Sequence, residues 1–435
     1  MTTANDIVDH EGLKQSIYPM DNHPLYGNAA TFIDTDYLLP AALADFTNET
    51  DFEEDTTSLE ICPACFFNTS GTTNRSKKIP FSDADLARQK VHEAISFKKL
   101  GMVPGDGVMS LGAPLPSISG WAIVNGSEHL GAKALNTSQL DYDDIIDRGR
   151  GKQATFVIGT PLVVKEIGKA IIEEYGPMSE VLPNMRTGVI FGDVLPDALR
   201  AELKEIWGFE HVLSLYGTVE ADVVATECVD YQGEMLLMSE RLYFEFLPES
   251  ELAKERLDLN YVAKSMTMDQ VPNRSFGEIL ISDLSREVLP LIRYRIGDVI
   301  EVHRSTRDAN ANAPTISVLG RSKNTVMLEN IALYEMQLNN ALTTWLGNDL
   351  LEWKLTENEA AADHHYTLEV QLVKGRELPI NNEAVLFKAL RDQRNELTDV
   401  NLAKEIHVQQ IIEFAKVEVT GDIKAARIIL LPQTV

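Results

Sequence analysis

Apolar and polar positions divide the chain into a long stretch of alternating elements and a more charged remainder. After residue 82, Ala87, Val91, Ala94 and Ile95 recur at helical spacing until Gly101, and Ser82 or Asp83 stands where a helix cap belongs. Residues 108–111 read as a short buried strand. From residue 155 onward strand and helix alternate. β-rich runs at 155–158, 188–191 and 211–215 are separated by one helix that opens at Pro161 and ends near Gly176, and by a second at 197–207. That order predicts right-handed crossovers and a parallel sheet covered by helices. Segments 241–246 and 278–282 then alternate with period two, as antiparallel strands with one wet face do. After Gly320-Arg321 the pattern turns helical and charged. It predicts helices at 329–346 and 384–397, a strand at 366–373, and a last segment, 413–431, with a lysine-bearing loop at 420–427. The expected fold class is α/β: a large N-terminal domain at 1–321 with helix-covered parallel β-sheets plus antiparallel strands, and a small α+β C-terminal domain at 322–435.

Composition narrows the choices. A length of 435 residues calls for more than one domain, and 44% hydrophobic residues suffice for a large core. No run of 18 unbroken apolar residues supports a membrane span. The first residues, MTTANDIVDHEGLKQ, lack the basic start and apolar run of a secretory signal, so a cytoplasmic protein is expected. The net charge of −27 disfavours nucleic acid and anionic membrane as partners. An anionic ligand would need a local positive site. The three cysteines, Cys62, Cys65 and Cys228, are too few for a disulfide scaffold. Cys62 and Cys65 have redox or zinc spacing without a second pair, and read better as small buried residues on a strand. The acidic patch at 49–55 reads as a solvated loop.

The local positive site is offered by FFNTSGTTNRSKKIPF at 66–81. Thr69, Ser70, Gly71, Thr72 and Thr73 form a turn with little side-chain bulk, beside Arg75, Lys77 and Lys78. Such a turn presents backbone N–H groups, hydroxyls and ammonium groups to an anion. It lacks the spacing of a Walker loop, and a polar surface turn is the plain alternative. Three predicted strands end in loops suited to ligand contact: GTP at 159–161, GDVLP at 192–196 with Gly192 and Asp193, and YGTVE at 216–220.

SGTT followed shortly by lysine resembles the phosphate-gripping loop of the adenylate-forming superfamily, and further motifs follow in that family's order. Tyr216-Gly217-Thr218-Val219-Glu220 resembles YGxTE, which implies Tyr216 and Gly217 beside adenine, Glu220 as the magnesium ligand and Thr218 near the α-phosphate, since Val219 stands where a threonine is usual. RYRIGD resembles RYRTGD, with Arg295 near the nucleotide and Asp298 on the ribose hydroxyls. Gly320-Arg321-Ser322-Lys323 matches the hinge: Arg321 would reach the ribose, and Lys323 would absorb rotation of a mobile C-terminal domain. Lys424, in GDIKAAR, resembles the terminal catalytic lysine. Within the superfamily the chain is most similar to phenylacetate-CoA ligase-like enzymes, through GDVLPDALR, the Glu227-Cys228 pair and VLPLIRYRIGD. The stretch SISGWAIVNGSEHLGA would then line the acid pocket with Trp121 and Asn125. The resemblance implies ATP and Mg2+ as cofactors, a small carboxylic acid as substrate and CoA as thiol acceptor, in a monomer or homodimer. Val219, and Asn330 where a glycine flanks the pantetheine channel, leave two alternatives open. One is a standalone adenylation enzyme that serves an acyl carrier protein or an amine; the other is a degenerate nucleotide-binding protein without turnover.

Overall fold

The computed structural model describes residues 36–49, 63–69, 76–137, 140–258, 260–304, 314–359, 364–379, 383–412 and 427–430. The chain forms two compact units. The larger takes the segments up to Leu195, Arg200–Ile296 and Ile300–Ser317; the smaller takes Pro196–Leu199, Gly297–Val299 and the chain from Val318.

In the larger unit β1 (Cys65–Asn68) and β2 (Lys78–Phe81) pair antiparallel, with Asn68 opposite Lys78. Twelve further strands follow: β3 (Gly107–Ser110), β4 (Lys133–Asn136), β5 (Ala154–Gly159), β6 (Thr187–Phe191), β7 (His211–Thr218), β8 (Asp222–Cys228), β9 (Tyr231–Leu237), β10 (Tyr243–Pro248), β11 (Met266–Thr267), β12 (Ser275–Asp283), β13 (Leu291–His303) and β14 (Thr315–Arg321). They form one sheet in the order β11-β10-β12-β13-β14-β9-β8-β7-β6-β5-β3-β4. From β7 through β6, β5 and β3 to β4 every pairing is parallel, whereas β7–β8 and β8–β9 are antiparallel. The residues at 216–220 therefore lie where the two kinds of pairing meet.

The central parallel strands are largely apolar because both faces are covered. Val108, Phe156, Ile158, Val189 and Leu213 join Phe97 and Ile123, from helices Asp83–Lys99 and Ser119–Leu130, in one buried cluster. Helix Asp83–Lys99 starts on a reciprocal cap: the Asp85 amide donates to the Ser82 hydroxyl, and the Ser82 amide donates to the Asp85 carboxylate. Helix Pro161–Tyr175 has its proline in the first turn and packs closely at Gly168, where a Cβ would lie 2.4 Å from Trp207 Nε1. That indole instead donates to the Val164 carbonyl at 2.9 Å.

In the smaller unit the predicted helix at 329–346 begins later, at Glu335. Residues before it form a hairpin of β15 (Val326–Leu328) and β16 (Ile331–Leu333), turned by Glu329 at φ 56°. A three-residue β-branched and leucine run suits a short buried hairpin, and helix periodicity over the whole window concealed it. The predicted helix at 384–397 is helix Glu383–Gln393 followed by a 3-10 turn, Asn395–Asp399. β17 (Leu350–Glu357), β18 (Tyr366–Leu372), β19 (Ile406–Ile411) and β20 (Ile428–Ile429) form a sheet in the order β19-β18-β17-β20. Its core packs Leu338, Leu342, Trp353, Leu368 and Leu390. Among the described residues no helix is long and apolar enough to cross a membrane.

Candidate active site

The hairpin β1–β2 closes the neck of the hydroxyl-rich turn. Thr69 N donates to the Lys77 carbonyl at 3.0 Å, and Lys77 N donates back to Thr69 Oγ1 at 2.8 Å. Ser76 Oγ donates to the Thr69 carbonyl at 2.7 Å. Both ends of the turn are thus pinned together. Ser70, Gly71, Thr72 and Thr73 lie outside the described residues. Lys78, expected beside the anion, instead places its ammonium 4.1 Å over the Phe66 ring.

Lys77 points inward. Its Nζ lies 2.7 Å from Glu220 Oε1, in a pair whose two members are each only 5% exposed. Tyr294 donates its hydroxyl to the same oxygen at 3.1 Å. Burial pushes the Glu220 carboxyl up, but the Lys77 ammonium and the hydrogen bonds from Lys77 and Tyr294 more than reverse this. The net shift is below the ordinary carboxylate range, so the group is an anion. The loop that carries it is tightly built. A Cβ on Gly217 would lie 2.7 Å from the Asp222 carbonyl, so only glycine fits there. Asp222 adopts φ 56°, and Thr218 Oγ1 accepts from Ala221 N at 3.0 Å, which commits one lone pair of that hydroxyl to the turn. Tyr216 is half-buried at the end of β7.

Behind this loop lies a buried ionic cluster. Arg241 donates to the carboxylates of Asp222 and Asp283, on β8 and β12. His92 and Glu93, on helix Asp83–Lys99, are also fully buried there. Burial, with Arg241 nearby, drops the His92 pKa to about 3; burial and Asp222 raise that of Glu93 to about 8, so both are neutral at pH 7. Gly192 (φ 81°) and Asp193 sit exposed at the carboxyl end of β6, Asp193 closing its own turn by accepting from Val194 N.

Within the smaller unit Asp298 is 5% exposed, and its Oδ1 accepts from Arg321 Nε at 3.0 Å. Gly297, at φ 85° within β13, lies directly before Asp298 on the same strand. Lys323 lies exposed in the 3-10 turn Ser322–Asn324. Arg295 is committed elsewhere: its guanidinium bridges Glu278, at 2.9 and 3.0 Å, and Glu255. Asn330 stands exposed at the β15–β16 turn.

Trp121 and Asn125 share helix Ser119–Leu130. The Trp121 ring lies 5.8 Å from Phe67 on β1, with Lys90 Nζ 5.5 Å from its centre, and Asn125 Nδ2 donates to the Trp121 carbonyl. This places Trp121 against the strand that leads into the hydroxyl-rich turn. Cys65 begins β1 and Cys228 ends β8, both as free thiols; Cys62 and Lys424 lie outside the described residues.

Two residues without an assigned role in the sequence enter the site: Tyr294, the middle residue of RYR, and Arg286, whose Nη1 donates to the Glu220 carbonyl at 2.9 Å. Both belong to the run GEILISDLSREVLPLIRYRIGD, whose length of likeness was the available signal. Among the described residues no group of three or more His, Cys, Asp or Glu could hold a metal ion alone. One ionised carboxylate next to hydroxyl groups nevertheless suits a hard cation that takes its other oxygen ligands from a bound phosphate chain, as Mg2+ does.

No family model matches the chain. The chain is 23% identical over 272 residues to a phenylacetate-coenzyme A ligase of Pseudomonas putida, an alignment that covers 62% of this chain and 57% of that protein. It is 22% identical over 276 residues to the phenylacetate-coenzyme A ligase of Escherichia coli (strain K12), covering 63% and 58%. The matched stretch thus spans less than two thirds of these relatives. Among solved structures, a 2-hydroxyisobutyryl-CoA ligase in its postadenylation state matches with a TM-score of 0.63 at 16% identity, covering 92% of this chain and 80% of that one. ATP-bound MatB from Rhodopseudomonas palustris matches with a TM-score of 0.56 at 17% identity, covering 82% and 66%. The chain shares the fold of these solved structures. In sequence the chain is similar to the phenylacetate-CoA ligases.

Proposed function

We propose that this chain activates a carboxylic acid with ATP to an acyl-adenylate, releases pyrophosphate, and passes the acyl group to a thiol, with CoA as the acceptor. The observation that carries the reading is the buried Lys77–Glu220 pair, 2.7 Å apart, at the neck of a hydroxyl-rich turn. An ion pair this buried is a poor source of stability compared with apolar packing, so its presence at the end of a parallel strand points to chemistry. Lys77 and the turn at 69–73 would take the triphosphate; Glu220 would hold Mg2+ together with phosphate oxygens. Mg2+, when bound, supplies charge neutralisation along the leaving pyrophosphate. An approaching phosphate chain would take over as the partner of Lys77 and leave the carboxylate to the cation, so no charge would be stranded in the buried site.

Asp298, fixed by Arg321, would accept from the ribose hydroxyls in charge-assisted bonds. Tyr216 would flank the adenine, and Gly192 and Asp193, exposed at a strand end, would contact the nucleotide. The Thr218 hydroxyl still has its proton to donate to the α-phosphate. Lys424 would offset the charge where acid and phosphate oxygens are forced together, and rotation at Lys323 would bring the C-terminal domain, 322–435, into place. Trp121 and Asn125 would contact the acid. Arg295, held by Glu278 and Glu255, is assigned here to the scaffold of β12 and β13.

A pyrophosphate-release screen across aryl, amino and short aliphatic acids, with and without CoA, tests this. Acid-dependent release with a CoA ester as product is expected. Release without any CoA ester selects a carrier-protein or amine acceptor. Binding of Mg·ATP without release for any acid refutes the enzyme reading in favour of a nucleotide-binding protein.

A further inference from the structure

We infer that Arg286 is a positioning residue for this site: its guanidinium fastens the loop that bears Glu220 to the strand that follows the hydroxyl-rich turn, and so sets Glu220 in register with Lys77. The inference rests on the adenylation reading above and adds a residue to it.

Arg286 is 5% exposed, and its two terminal nitrogens serve two different elements. Nη1 donates to the carbonyl of Glu220 at 2.9 Å, and Nη2 donates to the carbonyl of Pro80, on β2, also at 2.9 Å. The guanidinium carbon lies 3.8 Å from the centre of the Phe81 ring, so the fork is also held in its plane. A buried arginine ordinarily spends its fork on a carboxylate. Here both prongs go to main-chain oxygens, one belonging to Glu220 itself and one three residues beyond Lys77. Any shift of the Glu220 carbonyl carries the carboxylate with it, and any shift of β2 carries Lys77.

The arginine is itself braced from behind. Glu287 N donates to Asp85 Oδ1 at 2.8 Å, which ties the segment after Arg286 to the capped start of helix Asp83–Lys99. Arg241 joins Asp222, two residues after Glu220, to Asp283, three before Arg286. Burial pulls the Arg286 pKa down while Asp222, Asp283 and Asp85 oppose this, so the counter-charge is supplied without a direct partner on the fork. Lysine cannot reproduce the arrangement: a point charge reaches one carbonyl well, whereas the fork reaches both.

The test uses Arg286→Lys, Glu220→Gln, their double variant and Phe81→Leu in the full chain. The measurements are pyrophosphate release against Mg2+ concentration, and thermal unfolding with and without Mg·ATP. In Arg286→Lys the half-saturating Mg2+ is expected to rise roughly 10-fold and kcat to fall on the order of 10²-fold, as for a sub-ångström to 1 Å misplacement, while KM for the acid stays within about twofold. The double variant should be no worse than Glu220→Gln alone, since both remove one unit of function. Phe81→Leu, which loosens the fork and leaves every charge in place, should shift the Mg2+ dependence the same way by a smaller factor, and it carries the test if Arg286→Lys does not fold. An unchanged Mg2+ dependence, or a double variant that loses the product of the two single losses, overturns the positioning role. A wild-type chain that releases no pyrophosphate fails the adenylation reading instead. The stabilisation of thermal unfolding by Mg·ATP, weakened in Arg286→Lys if the role holds and unweakened if it does not, then decides the role of Arg286 by itself.

Discussion

Replacing Lys77 with methionine keeps the side-chain stem and volume but removes the charge that faces Glu220 2.7 Å away. Both side chains are almost wholly out of water, at 7% and 6% exposure, so solvent screening offers the stranded carboxylate little relief. Removing one partner of a buried pair costs about 3–5 kcal/mol, and the Tyr294 hydroxyl, which still donates to Glu220, puts this case near the lower end. At roughly 2 °C per kcal/mol for a unit of this size, unfolding should fall by about 6 °C. The pH dependence carries the sign. In the wild type the Glu220 pKa lies below 4.5, so its contribution is complete above that value and is lost as pH falls through the lower, folded-state pKa. In Lys77→Met burial dominates and the pKa rises above 4.5, so the penalty is absent in acid and grows as pH climbs past that value. The deficit relative to wild type should therefore shrink towards pH 4 and be full at neutrality. Calorimetric unfolding of the wild type, Lys77→Met, Glu220→Gln and the double variant across this range is the assay. The double variant should recover most of the loss, because removing both charges leaves nothing stranded. A deficit independent of pH, or a double variant as unstable as the two losses summed, would refute the reasoning.

Three further outcomes are expected. Glu93 titrates in the folded chain at about 8 against an ordinary carboxyl value of 4.5, so the wild type should lose stability as pH rises between those values; Glu93→Gln should flatten that slope in calorimetric unfolding. Asp298→Ala removes the carboxylate that Arg321 holds, and should weaken ATP binding by one to two orders of magnitude in equilibrium titration, in line with about 1.5–3 kcal/mol for a charged hydrogen bond, while unfolding without nucleotide changes little. Lys424→Ala should cut pyrophosphate release by orders of magnitude with ATP binding nearly intact, as expected for charge acting at the reacting centre; undiminished release removes it from the mechanism.

The parallel half of the large sheet was legible because each strand is a closed apolar run between a turn and a helix signal. Helix 197–207 matches to the residue, and of the two cap candidates, Ser82 and Asp83, it is Ser82 that caps its helix. What the sequence concealed lies mostly in pairings. β8 and β9 contain Asp222, Glu227, Gln232 and Glu234 within otherwise strand-like runs, and the two buried ones depend on partners: Arg200 takes both oxygens of Glu227, and Arg241 takes Asp222. Helix Ser119–Leu130 was read for a pocket lining instead of a helix, because Gly120 and Gly126 weaken its propensity. Those glycines serve close packing: a Cβ at Gly126 would lie 2.4 Å from the Glu93 side chain. At the site, the motif residues named Glu220 and Lys77 separately. Neither spacing nor composition showed that 143 residues of chain fold back to join them, or that Tyr294 would share the same oxygen.

That separation has a consequence for synthesis. Lys77 and Glu220 leave the ribosome well before their two supports, which follow Glu220 by 66 residues at Arg286 and by 74 at Tyr294. A nascent chain that ends after β7 has the parallel strands, whose neighbours are near in sequence, yet holds a carboxylate with no hydroxyl beside it and no clamp on its loop. The loop that bears Glu220 acquires both supports only once β12 and the start of β13 are made, so this part of the large sheet is completed late in synthesis.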